Sequence, residues 1–166
     1  MAVYIALGIA AVVLLWGVLI YNRFISLVKK REEGWSGVLV QLKRRHDLIP
    51  NLVNTVKGYA AQERTVLEAV TAMRGPRQGA SIGEVAASEN MLTQALGRLF
   101  AVAEAYPDLK SSANFLSLQG SLQEVEAEVQ MSRRYFNGTV REFNTLVASF
   151  PSLIVAKMFS FTEKEF

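Results

Sequence analysis

Apolar and polar positions divide the chain into an uncharged opening and a long region of helical periodicity. Residues 1–20, MAVYIALGIAAVVLLWGVLI, carry no charged side chain. From about residue 21 the apolar positions recur at steps of three and four, the period of a helix with one buried face. Leu42, Ile49, Val53 and Val56 begin one stripe, which continues through Ala60, Leu67 and Val70 with Glu63 in one core-type slot. A second stripe reads Val85, Leu92, Leu96, Leu99 and Ala103. The third is the longest: Phe115, Leu118, Leu122, Val125, Val129, Ser132, Phe136, Val140, Phe143, Val147 and Phe150. As a helix, residues 115–150 would be about 54 Å long. No stretch alternates with the period of two that a half-buried strand requires.

Breakers divide these stripes. "RGPRQGAS" (Arg74 to Ser81) reads as a loop, and Tyr106-Pro107 and Phe150-Pro151 mark two further stops, because proline disfavours helix at the residue before it. Pro50 lies inside a helical pattern that runs from about Tyr21 to Met73. No Gly, Ser or Asn loop precedes it, so a kinked but continuous helix is expected. Ser81 and Glu84 have the spacing of a capping box at the start of the second stripe. The apolar segment PSLIVAKMFSF reads as a short closing helix packed over the bundle, since an exposed one would promote aggregation.

The predicted fold is therefore all-α. A transmembrane helix occupies residues 1–21, and a helical bundle domain occupies 22–166. The domain is an antiparallel bundle of three long helices in up-down-up order plus a short C-terminal helix. The first soluble helix runs straight out of the membrane helix.

Twenty helical residues span about 30 Å, the thickness of a bilayer's hydrocarbon core. Only a helix satisfies its own backbone groups there. Tyr4 and Tyr21 lie near the two ends, where aromatic rings favour the headgroup region. A cleaved signal peptide would need a basic start and a small-residue cleavage site, and neither pattern is present. The downstream flank carries Arg23, Lys29, Lys30 and Arg31, so the positive-inside rule expects the N-terminus outside a bacterial inner membrane and the helical domain in the cytoplasm. The same cations suit anionic headgroups.

Composition narrows the chemistry. The net charge is +3 and sits partly on the membrane flank, so no nucleic-acid partner is expected. With no cysteine, disulfides, thiol catalysis and a lipoprotein anchor are excluded. His46 is the one histidine, and its neighbour Asp47 points about 100° away on a helix, so the two do not form a catalytic pair. No zinc-ligand spacing, calcium loop or phosphate loop is present, and no cofactor is expected.

Around His46, Arg44, Asp47, Asn51, Asn54 and Gly58 make a polar stripe beside the apolar one. On the last helix, Glu126, Arg133, Asn137, Arg141 and Asn144 recur in the same way. Two such seams can form interhelical ion pairs and amide hydrogen bonds that fix the register of a bundle. The alternative is that the seams contact a partner or a second copy.

Three segments, "LKRRHDLIPNLVNTVKGYAAQE", "LGRLFAVAEAYPDLKSSANFLSLQ" and "SRRYFNGTVREFNTLVASFPSLIVAKMF", closely resemble the LemA family of bacterial membrane proteins. Gln62 stands where the family has His before Glu63, and Phe136 where Tyr is usual. The resemblance implies an N-terminal transmembrane helix followed by a membrane-apposed helical bundle. It implies no enzymatic activity, substrate or cofactor. One branch of the family is linked to shaping or organising a membrane compartment.

The leading expectation is a membrane-anchored, non-enzymatic scaffold in contact with the lipid bilayer, forming homo-oligomers or organising another membrane protein. The alternative is an accessory subunit that docks a membrane protease, kinase or transporter through its polar seam. An enzyme would require Asp47 and Glu126 to converge in a pocket.

Overall fold

Helix α1, Ala2–Tyr59, is unbroken from the uncharged run into the first amphipathic stripe, and Pro50 lies inside it. The expected continuity past both the end of the uncharged run and the proline is found in this computed structural model, which describes residues 1–73, 75 and 79–166. Half of the loop expected from Arg74 to Ser81, residues 74 and 76–78, falls outside the described residues. The helices that follow are α2 (Arg64–Thr71), α3 (Ile82–Ala105), α4 (Pro107–Lys110), α5 (Ala113–Ala148) and α6 (Ser152–Met158). The described residues contain no strand. They form two compact units, Met1–Ser36 with Arg133–Phe166, and Gly37–Ser132.

In the Gly37–Ser132 unit the core joins Ile49, Leu52 and Val56 of α1 to Leu67 and Val70 of α2, Leu92, Leu96 and Leu99 of α3, and Phe115 and Leu122 of α5. Burial of apolar surface of this kind is the main favourable term in folding. α3 begins as expected. Ser81 Oγ accepts from the Glu84 amide at 3.2 Å, and Glu84 Oε2 accepts from the Ser81 amide at 2.8 Å, completing the capping box. α3 ends before Pro107, which supplies the first residue of the one-turn α4.

The helix expected to reach Met73 instead stops at Tyr59, and α2 forms after a turn at Ala60–Glu63. Folding back lets Leu67 and Val70 bury in the same cluster as Val53 and Val56. This extra reversal changes the direction of the middle helix. α5 runs antiparallel to α3, since Phe100 meets Phe115 while Arg45 joins Glu89 to Glu126. α1 and α3 run the same way: Arg45 reaches Glu89 near the start of α3, and Glu63, just past α1, meets Tyr106 at its end. The all-α bundle is as expected, but its order is not up-down-up, because α2 returns the chain before α3 begins.

In the other unit, α1 and α5 pack antiparallel, with Phe24 against Phe143 (5.8 Å between ring centroids) and Trp35 against Phe136 (5.3 Å). Gly34 makes the approach possible, since a Cβ there would lie 3.3 Å from the Phe136 Cα. α6 closes this unit as the sequence suggests, burying Val155 and Ala156 against Phe24, Leu27, Phe143, Leu146 and Val147. Trp16 and Ile20, inside the uncharged run, are half-buried against the same cluster.

Candidate functional site

Between Leu42 and Ile49, the buried face of α1 continues through Arg45. On α3, the buried face continues from Val85 to Leu92 through Glu89. Helical geometry therefore holds two opposite charges at core positions, and they are 5% and 8% exposed. Arg45 Nη1 donates to Glu89 Oε2 at 3.0 Å. Its Nη2 donates to Thr93 Oγ1 at 3.0 Å and lies 3.2 Å from Glu126 Oε2 on α5. His46 Nε2 is 2.8 Å from Glu89 Oε1. A carboxylate only accepts, so His46 fills this contact with its Nε2 proton. One arginine thus links three helices through two carboxylates and a hydroxyl.

Desolvating these charges is expensive, and their mutual pairing offsets it. Arg45 Nε and Gln41 Oε1 are buried without a hydrogen-bond partner among the described residues. A groove of about 490 Å³ opens beside the cluster, lined by Arg45, Thr93, Leu96, Phe100, Leu122 and Glu126 among others. The ionisable groups of the cluster face one another, so each serves as its neighbour's counter-charge or hydrogen-bond partner. Among the described residues, no group of three His, Cys, Asp or Glu is placed to hold a metal ion.

The structure distributes the residues singled out from sequence. Arg44, Asp47, Asn51 and Asn54 are all exposed and line the outside of α1. Among the described residues, the ion pairs from α1 to α5 are made by Arg23 and Arg45 and not by these positions. One position on a helix is a rotation of about 100°, and that rotation puts Arg45 in the core and Arg44 in solvent. From the α5 seam, Glu126 is half-buried and pairs with Arg45. Asp47 is exposed, so the convergence with Glu126 that an enzyme reading required is not what the helices build.

Arg133 and Arg141 are exposed, and Asn137 is half-buried. Asn144 has a defined partner. Its Nδ2 donates to the Lys164 carbonyl, and its Oδ1 accepts from the Lys164 amide, both at 2.9 Å. This clamp holds the segment after α6 against α5. On the basic flank, Arg23 pairs with Glu142 at 3.3 Å and Lys29 with Glu32 at 2.9 Å, both on the surface. Lys30 is exposed and Arg31 is half-buried.

Sequence reasoning passed over Arg45, Glu89 and Thr93. The signal was present. The stripes step from Leu42 to Ile49 and from Val85 to Leu92 without naming a residue between, and a helix must place something on the core face there. Arg45 and Glu89 occupy those slots with opposite charges.

Relatives give the chain its context. The LemA family model matches residues 34–166. Magnetosome protein MamQ of Magnetospirillum gryphiswaldense is 25% identical over 173 residues, covering 88% of this chain and 64% of that protein. Magnetosome protein MamQ 2 of Paramagnetospirillum magneticum aligns with the same identity and coverage. The chain thus spans 64% of the length of these curated relatives. The long uncharged start of α1, exposed through Leu15, is of a length and composition to cross a membrane, and the protein is membrane-associated. With the family match taking in the ion cluster, the Asn144 clamp and α6 alike, the chain belongs to the LemA family.

Proposed function

We propose that the protein is a membrane-anchored, non-enzymatic helical scaffold that self-associates and organises partner membrane proteins or membrane shape. The observation that carries this reading is α1. The apolar run and the stretch that bears Arg45 belong to one continuous helix, Ala2–Tyr59. The buried polar groups support the same reading, since the cluster's ionisable groups are directed at each other. Similarity to proteins named for the magnetosome supports a role at a membrane. In this reading α1 crosses a bacterial inner membrane once. Arg23, Lys29, Lys30 and Arg31 keep the following domain in the cytoplasm and the N-terminus outside.

The test is the assembly state of the full chain in lipid nanodiscs, measured by native mass spectrometry and by cross-linking in membranes. Higher oligomers, or a reproducible membrane-protein partner, are expected. A strictly monomeric protein that retains no partner would remove the scaffold reading. Protease accessibility from each side of the membrane tests the orientation.

The exposure of Arg44, Asp47, Asn51 and Asn54 favours a second reading. This polar stripe is free to dock a membrane protease, kinase or transporter, making the protein an accessory regulatory subunit. Combined alanine substitution of Arg44 and Asn51 would then abolish partner capture while the melting temperature stays unchanged. Capture that survives the substitution excludes the stripe as a docking face.

A further inference from the structure

We infer that α6 and its flanks form a second membrane contact, with Phe150, Ile154, Met158 and Phe159 lying in the headgroup and upper acyl region of the bilayer beside the end of the apolar helix. This rests on the reading that the uncharged run of α1 lies in lipid. Tyr21 closes the uncharged run, and its ring lies 4.7 Å from that of Phe159. One turn on, Phe24 stacks on Phe161 at 4.6 Å. Trp16 and Ile20, within the run itself, pack against the cluster that contains Val155 and Ala156. If the run is in the bilayer, α6 is held at the level where the run leaves it.

The second observation is what α6 presents there. Its inner face, Ser152, Val155 and Ala156, is buried. Ile154 and Met158 follow at a step of four along one outer side and are 50% and 73% exposed, with Phe150 just before the helix 81% exposed and Phe159 just after it 53% exposed. An apolar face at that height is disfavoured in water and satisfied by lipid. Lys157 is exposed at the same level, where a cation suits an anionic headgroup. Continuity with the apolar run selects the bilayer over a second copy of the chain, since lipid already surrounds that run on every side the protein leaves open.

The chain has no cysteine, so single-cysteine spin labels report one site each. Labels replace Ile154 and Met158 in the full chain, reconstituted in vesicles of phosphatidylcholine and phosphatidylglycerol. Leu14→Cys serves as the lipid reference. Tyr135→Cys is the water reference, because Tyr135 is exposed and packs beside Gly34, about 20 Å along α1 from Tyr21. Collision with oxygen and with a water-soluble nickel complex is measured at each label. The expected result is that the Ile154 and Met158 labels favour oxygen as Leu14 does, and that Tyr135 favours nickel. If Ile154 and Met158 match Tyr135 while Leu14 remains in lipid, the second contact is overturned and the anchor stands. If Leu14 also favours nickel, the anchor reading fails and takes the second contact with it. Spin–spin broadening at Ile154 without lipid collisions would assign the face to a second copy and equally overturn the inference.

Discussion

Arg45 Nη1 and Glu89 Oε2 meet at 3.0 Å inside the helical core, each at the slot its own helix would ordinarily give to a leucine. A buried ion pair contributes little net stability over an apolar pair, but breaking it is costly because one charge is left unpartnered. Its use here is geometric. Apolar side chains tolerate sliding, whereas Arg45 meets Glu89, Thr93 and Glu126 together in only one register.

Glu89→Ala takes from Arg45 its buried carboxylate, leaving it the half-buried Glu126 and Thr93, and should destabilise the fold by about 3 kcal/mol. The double variant Arg45→Met with Glu89→Leu should recover most of that loss, short of the hydrogen bond His46 no longer makes. Thermal and denaturant unfolding followed by circular dichroism in detergent measures both. A double variant no more stable than Glu89→Ala would show that the pair is not the unit that matters.

The two glycines on either side of Trp35 and Ser36 should respond oppositely to added bulk. Gly34→Leu meets the Phe136 backbone and should destabilise by about 1–3 kcal/mol. At Gly37 an added Cβ meets nothing within 4 Å. Gly37→Ala should therefore stabilise by about 0.5–1 kcal/mol through helix propensity alone. Equal effects of the two substitutions would contradict the close α1–α5 approach at Gly34.

Asn144→Ala removes both hydrogen bonds to the Lys164 backbone. The expected global loss is small, about 1 kcal/mol. The larger effect is local. Hydrogen exchange and proteolysis over residues 161–165 should speed up while the Gly37–Ser132 unit keeps its protection. Asn144→Asp, which keeps the acceptor and loses the donor, should fall between.

Substitutions on the exposed stripe give the contrasting case. Arg44→Ala should change stability by no more than about 0.5 kcal/mol, because its side chain is on the surface. Arg45→Ala, one residue on, leaves Glu89 buried without its cation and should cost about 3–5 kcal/mol. The comparison isolates a single helical step, and unfolding curves of the two variants decide it.

The sequence by itself determined the three long helices and the short closing one, though not where the first of them ends. Steps of three and four located the buried faces of α1, α3 and α5. Ser81 and Glu84 set the start of α3, Pro107 and Pro151 punctuated the later part of the chain, and an uncharged run of membrane length stood at the front. These are local signals, written in spacing and propensity within a few residues of where they act. Tertiary structure decided what one-helix reasoning cannot reach. It turned the chain at Ala60–Glu63 because Leu67 and Val70 gain more burial folded back than extended, and so reversed the direction of α3. It also supplied the partners of Arg45. Helical spacing alone puts Arg45 on the core face and Arg44 in water, but only Glu89 and Glu126, on two other helices, neutralise the buried charge.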